Sequence, residues 1–313
     1  MQELRTHEAR PHREGIAKSP ASRWLSANAL GTLAMVPAGL MMVGLIFIPF
    51  ALVIGLSFTS WTGLGPIPLP ETIRNYTGIL ASDSFVRALK VTVVYAIGSG
   101  VLTIAIGFIL AALIRARLKG WRFYKVVWFI PVLLPGAVIA VLWSSAIFEP
   151  GFGALDQLLE LVHLPTPTQG WLGDPNLAVF AIIATAIWAY TGWPMLILLA
   201  AMERIPQDFY DAANVDGASS AATIWYVTMP MVRPVLAGVA TLQLIFGLKA
   251  FDIVFVLTNG GPASATRVLS LLMYTDAFTA GRFGLGSAIA VLMVVIIVPA
   301  ALLQQRLLAG SGK

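Results

Sequence analysis

The segment LAVFAIIATAIWAYTGWPMLILLAAM, residues 177–202, contains 26 consecutive residues without a charged side chain. A helix needs about 20 predominantly apolar residues to cross the hydrocarbon core of a bilayer. Apolar and polar residues do not alternate along the segment, as they would in a strand of a membrane barrel. The segment therefore predicts a membrane-spanning helix, which ends where a polar stretch begins at Glu203.

Five further runs of the same kind flank this segment, at 33–58, 91–114, 126–148, 235–258 and 285–303. Only the run 235–258 contains charged residues, Lys249 and Asp252. The whole chain is 58% hydrophobic and 11% charged, whereas a soluble domain carries about 25% charged residues. We predict an all-α membrane protein with six transmembrane helices in residues 33–305, an arm at 1–32 and a tail at 306–313.

The basic residues indicate which side of the membrane each loop occupies. With the N-terminus placed inside, fourteen of the 20 Lys and Arg residues fall in inner pieces and five in outer pieces. Basic residues are enriched in cytoplasmic loops, so both termini and the loop 203–234 are predicted to be cytoplasmic. The same bias accounts for the net charge of +5 without a nucleic-acid partner.

The outer loops are predicted to contain little regular structure. The segment 59–90, with three prolines, is expected to be mostly irregular. A short amphipathic helix is expected near 155–162, and a second short helix at 268–280 after the turn sequence Asn-Gly-Gly-Pro.

The polar loop between the fourth and fifth spans reads ERIPQDFYDAANVDGASSAATIWYVTMPMVRP, residues 203–234. Pro206 and the acidic residues that follow favour the start of a helix, where the dipole is positive. Gly217 permits a sharp change of direction. We predict a helix at 207–215, a bend at Gly217 and a second short helix at 219–227. This hairpin either inserts into a soluble partner or lies on the membrane as a connector.

Residue groups typical of enzymes are not found in the sequence. The histidines, His7, His12 and His163, have neither catalytic nor metal-ligand spacing. No segment has the glycine-rich sequence that holds phosphates, and the terminal Gly-Ser-Gly-Lys lacks the earlier glycine and the following Ser or Thr. With no cysteine, thiolate chemistry is excluded. We therefore predict that this chain is not an enzyme and binds no cofactor of its own.

The 203–234 loop resembles a family motif. Asp211-Ala212-Ala213, Asp216-Gly217-Ala218 and the later Val-Thr-Met-Pro ending at Pro230 are similar to the "EAA" loop of permease subunits in binding-protein-dependent ABC importers. The segment KAFDIVFVLTNGGP, 249–262, resembles the carbohydrate-uptake branch, the maltose and glycerol-3-phosphate permease type. Two positions depart from the family pattern, because Asp211 replaces the usual Glu and Ile224 replaces a common aromatic residue.

The resemblance implies the fold of the type I ABC importer permeases in a bacterial plasma (inner) membrane. It implies a second permease subunit, expected to be a different chain, two copies of an ATPase subunit that holds ATP and Mg²⁺, and an extracytoplasmic solute-binding lipoprotein. The loop would couple to the ATPase, and the solute would be a sugar. The residues implied for ATPase coupling are Gln207, Asp208, Tyr210, Asp211, Ala212, Ala213, Asp216, Gly217, Ala218 and Pro230.

Polar and aromatic side chains inside the predicted spans are candidates for the solute pathway. A charged side chain at the centre of a membrane helix costs about 2.5–3.5 kcal/mol and tends to face the bundle interior. Lys249 and Asp252, three residues apart, would lie on one helical face and either form a structural ion pair or line the route. Aromatic and polar residues in spans four and five either pack or contact solute: Trp188, Tyr190, Thr191 and Gln243.

The alternative function is an ion-gradient-driven secondary transporter. Such a protein needs buried ionisable residues for coupling, and only Lys249 and Asp252 qualify. An inverted repeat, which many secondary transporters contain, is not evident. The loop motif therefore favours the ATP-driven importer.

Overall fold

The computed structural model describes residues 35–70 and 73–310, and every regular element in these ranges is a helix. The predicted arm 1–32 and the last residues of the tail, 311–313, lie outside the described residues. In chain order the helices are α1 (Met35–Leu56), α2 (Arg74–Leu80), α3 (Asp83–Arg115), α4 (Trp121–Leu133), α5 (Gly136–Ile147), α6 (Ala154–Leu161), α7 (Pro175–Tyr190), α8 (Gly192–Glu203), α9 (Gln207–Val215), α10 (Ser220–Leu248), α11 (Asp252–Thr258), α12 (Leu269–Tyr274) and α13 (Phe283–Gly310).

The described helices provide up to six membrane spans. Four of them, α1, α3, α10 and α13, are long and apolar enough to cross a bilayer alone. The pairs α4–α5 and α7–α8 pass the same criterion together, although they bend by 107° and 42°. The predicted all-α membrane fold with six spans is confirmed. Described residues 35–52 belong to one unit, and the packing described below lies within the second unit, which begins at Val53.

The predicted fifth span, 235–258, is wrong at both ends. Helix α10 starts fifteen residues earlier, at Ser220, where the side chain of Ser219 accepts a hydrogen bond from the backbone N–H of Ala222 at 3.2 Å. It ends at Leu248, and α11 begins separately at Asp252. The apolar run shows which residues lie in the hydrocarbon layer. The ends of a helix depend instead on where its backbone hydrogen bonds begin and end, so the two ranges differ. The second loop helix predicted at 219–227 is therefore the first part of α10.

The third predicted span, 126–148, is not one straight helix. Leu134 adopts an extended conformation, with φ −88° and ψ 140°, at the junction of α4 and α5. Proline disfavours the helical conformation of the residue before it, so Pro135 explains the break. The segment 59–90 also contains more helix than expected, because it includes α2 and the first turns of α3. The two short helices predicted near 155–162 and at 268–280 are confirmed as α6 and α12, and their place on the outer side stays a prediction.

Helix α3 is packed closely against its neighbours α7, α8 and α10. A Cβ atom placed on Gly107 of α3 would lie 3.0 Å from the backbone nitrogen of Met195 in α8. A Cβ on Gly247 of α10 would lie 2.7 Å from the Cα atom of Ala96 in α3. Glycine thus allows two helices to approach α3 at backbone distance, and the space left between them forms the site described next.

Candidate functional site

A cavity of about 400 Å³ lies between α3, α7, α10 and the break that follows α10. Its wall is mixed, with hydroxyl, amide and charged groups beside aromatic rings. The polar lining residues are Tyr95, Ser99, Thr103, Tyr190, Gln243, Lys249 and Asp252, and the aromatic ones include Trp193, Phe246 and Phe251. Polar side chains inside membrane helices are energetically unfavourable, and they commonly mark a binding site or a transport route. This cavity is therefore the first candidate for a solute site.

Helix α3 contributes three polar residues that sequence reasoning missed. Tyr95, Ser99 and Thr103 recur every four residues, which places them on one face of the helix. The hydroxyl of Ser99 donates a hydrogen bond to the carbonyl oxygen of Tyr95 at 2.6 Å and keeps its acceptor capacity for another group. The signal that predicts them is this repeat of four in an otherwise apolar span.

Lys249 and Asp252 lie at a helix break and not on one continuous helical face. Lys249 directly follows the last residue of α10, and Asp252 begins α11. The ion pair considered for them is not formed between these two described residues, whereas Arg282 and Asp276 do form one. Both residues line the cavity, and both are exposed. Their charges are therefore available to a solute.

Gly136 brings the Tyr190 hydroxyl and the Asp252 carboxylate to the same part of the cavity wall. A Cβ atom on Gly136 would lie 3.2 Å from the hydroxyl oxygen of Tyr190 and 3.5 Å from Oδ2 of Asp252. The hydroxyl can donate a hydrogen bond, and the carboxylate accepts them. These two groups form the polar end of the cavity.

Two of the predicted pathway residues do not reach the cavity. Trp188 packs against Trp143, with ring centroids 5.7 Å apart. Thr191 is fully buried and donates its hydroxyl to the carbonyl oxygen of Ile187 at 2.6 Å. Trp193, on the other face of the same segment, lines the cavity and meets the edge of Phe246 at 5.9 Å. The structure therefore brings together Tyr190, Gln243, Lys249 and Asp252 in the cavity wall, whereas Trp188 and Thr191 contact other residues of the chain.

The 203–234 loop forms a second candidate site, centred on α9. The observed helix Gln207–Val215 has the predicted bounds, and Gly217 has the positive φ of +74° that a bend requires. The side-chain amide of Gln207 donates a hydrogen bond to Oδ1 of Asp211 at 3.0 Å, one helical turn later. The loop thus starts as an ordered short helix.

The candidate residues of the loop divide between two faces. Tyr210 and Ala213 are buried against the rest of this chain, and Ala218 is half-buried. The exposed members are Gln207, Asp208, Asp211, Ala212, Asp216, Gly217 and Pro230. Large apolar side chains that sequence reasoning did not include are exposed beside them: Phe209, Val215, Trp225 and Tyr226, with Val215 at 88% exposure. An exposed surface of acidic, small and apolar groups suits contact with another protein.

Within residues 35–70 and 73–310, no group of His, Asp or Glu side chains is arranged to hold a metal ion. The cavity wall offers hydrogen bonds, charge and aromatic contact, and the exposed face of the loop offers a surface for protein contact.

Comparisons with known proteins agree on one family. The family described as the binding-protein-dependent transport system inner membrane component matches residues 103–310. The probable ABC transporter permease protein YurN of Bacillus subtilis (strain 168) is 32% identical over 276 residues, which cover 88% of this chain and 94% of YurN. The multiple sugar-binding transport system permease protein MsmF of Streptococcus mutans serotype c is 34% identical over 251 residues, covering 80% and 85%.

A solved structure supports the same fold. A chain from the crystal structure of a bacterial ABC transporter involved in the import of the acidic polysaccharide alginate superposes with a TM-score of 0.80 at 19% identity. The superposition covers 94% of this chain and 100% of that one. Because the family match spans well over half of the sequence and the architecture agrees, this chain belongs to the binding-protein-dependent transport system inner membrane components.

Proposed function

We propose that this chain is one of two permease subunits of an ATP-driven sugar importer and that its cavity is part of the solute route. Membership in the family makes it a membrane component of a transport system and not an enzyme. The observation that supports the route is the cavity of about 400 Å³ with polar and aromatic walls inside apolar helices. The relative MsmF, named as a sugar-transport permease, supports the solute class.

The cavity wall has the groups that a sugar requires. A sugar presents many hydroxyl groups, and each needs a donor or an acceptor when it leaves water. Ser99, Thr103 and Gln243 offer neutral partners, and Asp252 offers a charged acceptor. The apolar C–H faces of a sugar ring would lie on Trp193 or Phe246.

The 203–234 loop would dock on the ATPase. Its exposed face combines carboxylates, small residues and apolar side chains, and it extends from helices that also line the cavity. ATP binding would close a pair of ATPase subunits, move the loop and turn the cavity from inward-facing to outward-facing. An extracytoplasmic solute-binding protein would deliver the sugar, and a second, different permease chain would complete the route.

A reconstituted complex tests this function. The chain would be co-purified with its membrane partners, inserted in proteoliposomes with the binding protein, and assayed for sugar uptake. Uptake is expected to require ATP and binding protein and to continue in the presence of ionophores. Uptake that needs no ATP and collapses with an ionophore would reject the proposal in favour of a secondary transporter.

A matched pair of variants connects the cavity to the uptake. Gln243→Leu removes the amide that lines the cavity, whereas Thr241→Val changes a residue of the same helix whose hydroxyl bonds to the carbonyl oxygen of Ala237 at 2.9 Å. One neutral hydrogen bond contributes about 0.5–1.5 kcal/mol, so Gln243→Leu should weaken apparent sugar affinity about 2- to 10-fold. Thr241→Val should leave it near wild type. Equal effects of the two variants would count against the cavity as the route.

A further inference from the structure

Arg115 joins the loop helix to two membrane helices at one point, which we call the Arg115 junction. Its guanidinium carbon lies 3.7 Å from the centroid of the Tyr210 ring in α9. Its Nε donates a hydrogen bond at 3.0 Å to the carbonyl oxygen of Met202 in α8. The residue itself is the last residue of α3. Helix α3 therefore meets α8 and α9 at one side chain, although Met202 of α8 lies 87 residues after Arg115.

The junction is one attachment of α9 to the rest of the chain, beside the contact of α9 with the first part of α10. A helix of nine residues is marginal alone, so its position depends on tertiary contacts. Its buried residues are Tyr210 and Ala213, three positions apart and thus on the same face. The hydroxyl of Tyr210 lies 3.2 Å from the Thr228 hydroxyl of α10, within hydrogen-bond distance. The Tyr210 side chain therefore contacts α3 with its ring and α10 with its hydroxyl.

The guanidinium suits this position for two physical reasons. An aromatic face attracts a cation held within about 6 Å of its centroid. The carbonyl groups of the last turn of a helix have no partner inside the helix, and a cation there also interacts favourably with the dipole. Arg115 provides both contacts at once, one to Tyr210 and one to Met202, while it completes the end of α3.

Helix α3 also provides one wall of the cavity. It runs unbroken for 33 residues, about 50 Å at 1.5 Å per residue. Tyr95, Ser99 and Thr103 of this helix line the cavity. Thr103 lies about 18 Å along the helix from Arg115. Because Gly107 brings α3 to backbone distance from α8, the helix has little room to bend between these points.

We propose that the Arg115 junction transmits movement of the loop helix through α3 to the cavity. This proposal rests on the proposed function, and it makes Arg115 a positioning residue that acts through Tyr210 and α3. When α9 is displaced, the Tyr210 ring moves with it and the Arg115 guanidinium follows the ring. Helix α3 then shifts, and its polar residues change position in the cavity wall. Loss of the junction leaves the loop exposed for docking and separates ATP use from solute movement.

The test measures sugar molecules imported per ATP hydrolysed, in the reconstituted complex with its binding protein. Arg115→Met removes the cation and the hydrogen bond and keeps much of the apolar stem. Arg122→Met is the matched control, because Arg122 belongs to the same basic segment and lies 5.3 Å over its neighbour Trp121 instead. The loss of a cation–π contact corresponds to a change of about 3- to 30-fold in an equilibrium constant. We expect the import ratio to fall by that factor in Arg115→Met and to stay at the wild-type value in Arg122→Met.

A second pair of variants examines the other side of the junction. Tyr210→Phe keeps the ring under the guanidinium, and Tyr210→Leu removes it. We expect the ratio to stay near wild type in the first and to fall in the second, with no further loss when Tyr210→Leu is combined with Arg115→Met. Co-purification of the ATPase should be retained in every variant. This pair decides the question if Arg115→Met does not accumulate in the membrane.

The outcomes separate the two proposals. An unchanged ratio in Arg115→Met or Tyr210→Leu rejects the junction, and so does an equal fall in Arg122→Met. Those results leave the importer function standing if the wild-type complex is ATP-driven. A wild-type complex that imports nothing with ATP rejects the function and the junction together.

Discussion

Gly217 is the residue whose backbone angle sets the path of the 203–234 loop. It follows α9 with a φ of +74°, and two hydrogen bonds close the helix end around it. The N–H of Gly217 donates to the carbonyl oxygen of Asn214 at 3.1 Å, and that of Ala218 donates to Ala213 at 2.9 Å. This pair of bonds is the arrangement by which a glycine after a helix satisfies the last free carbonyl groups. The bend therefore depends on the backbone and not on side-chain space.

The effect of a substitution at Gly217 on coupled uptake should depend on whether the new residue accepts a positive φ, and not on the size of its side chain. A Cβ atom there meets nothing within 4 Å, so the cost comes from the left-handed conformation, about 1–2 kcal/mol for most residues. Gly217→Asn should keep ATP-coupled uptake close to wild type, because Asn visits this conformation. Gly217→Val should reduce uptake per ATP about 5- to 30-fold. Equal coupling in the two variants would show that the bend is not needed.

The sequence identified the bend correctly, but it did not divide the loop residues between the two faces of α9. Gly217 is recognisable because few residues accept its conformation. Tyr210 and Ala213 were grouped with the docking residues, whereas they are buried against this chain. Tyr210 contacts Arg115, a residue 95 positions away, and no local pattern predicts so distant a contact. The roles of the exposed residues stay predictions.

Helices α3 and α10 are held together by a close approach at Gly247. The Cβ that Gly247 lacks would lie 2.7 Å from the Cα atom and 2.8 Å from the Cβ atom of Ala96. Backbone atoms cannot move aside as a flexible side chain can, and close packing through small residues is a principal source of helix association in membranes. The approach also fixes the distance across the cavity, since Gly247 lines it.

Gly247→Ala should therefore separate α3 from α10 and destabilise the protein. Overpacking a well-filled site costs about 1–3 kcal/mol, which should lower the melting temperature measured by tryptophan fluorescence in detergent. The control is Gly238→Ala in the same helix, where an added Cβ meets nothing within 4 Å. That variant should melt at or slightly above the wild-type temperature, because alanine favours helix. Similar melting temperatures for the two alanine variants would contradict the close approach.

Element bounds show which part of the fold local chemistry determines. Helix α9 was predicted to the residue because Pro206 and Gly217 mark its two ends. The end of α10 was missed because the largely apolar run continues past Leu248, whereas the helix ends there and the next one begins at Asp252. That break is held by tertiary contacts such as the hydrogen bond from the Ser270 hydroxyl to the carbonyl oxygen of Ala250. A hydropathy pattern contains no information about such a contact.

At the scale of the molecule, the number of spans and the family were predictable from the sequence. Length and apolar content determine how many helices cross a bilayer, and the acid-Ala-Ala and Gly spacing of the 203–234 loop, with the segment 249–262, indicated the permease family. Only part of the cavity lining was predicted from the sequence, because the residues that α3 contributes were not. Its residues come from helices whose relative rotation depends on close approaches at Gly107, Gly136 and Gly247.

Sidedness is the molecular property that the basic residues alone predict, and the chain is suited to a direct test because it contains no cysteine. A single cysteine can replace Val215 in the 203–234 loop, which is 88% exposed, or Leu161 in α6, which is 77% exposed. With fourteen of 20 basic residues on the inner side, a membrane-impermeant maleimide should label Leu161→Cys in intact cells. It should label Val215→Cys only after the membrane is permeabilised. The opposite pattern would place the loop outside the cell, out of reach of ATP, and would remove the basis for ATPase docking at α9.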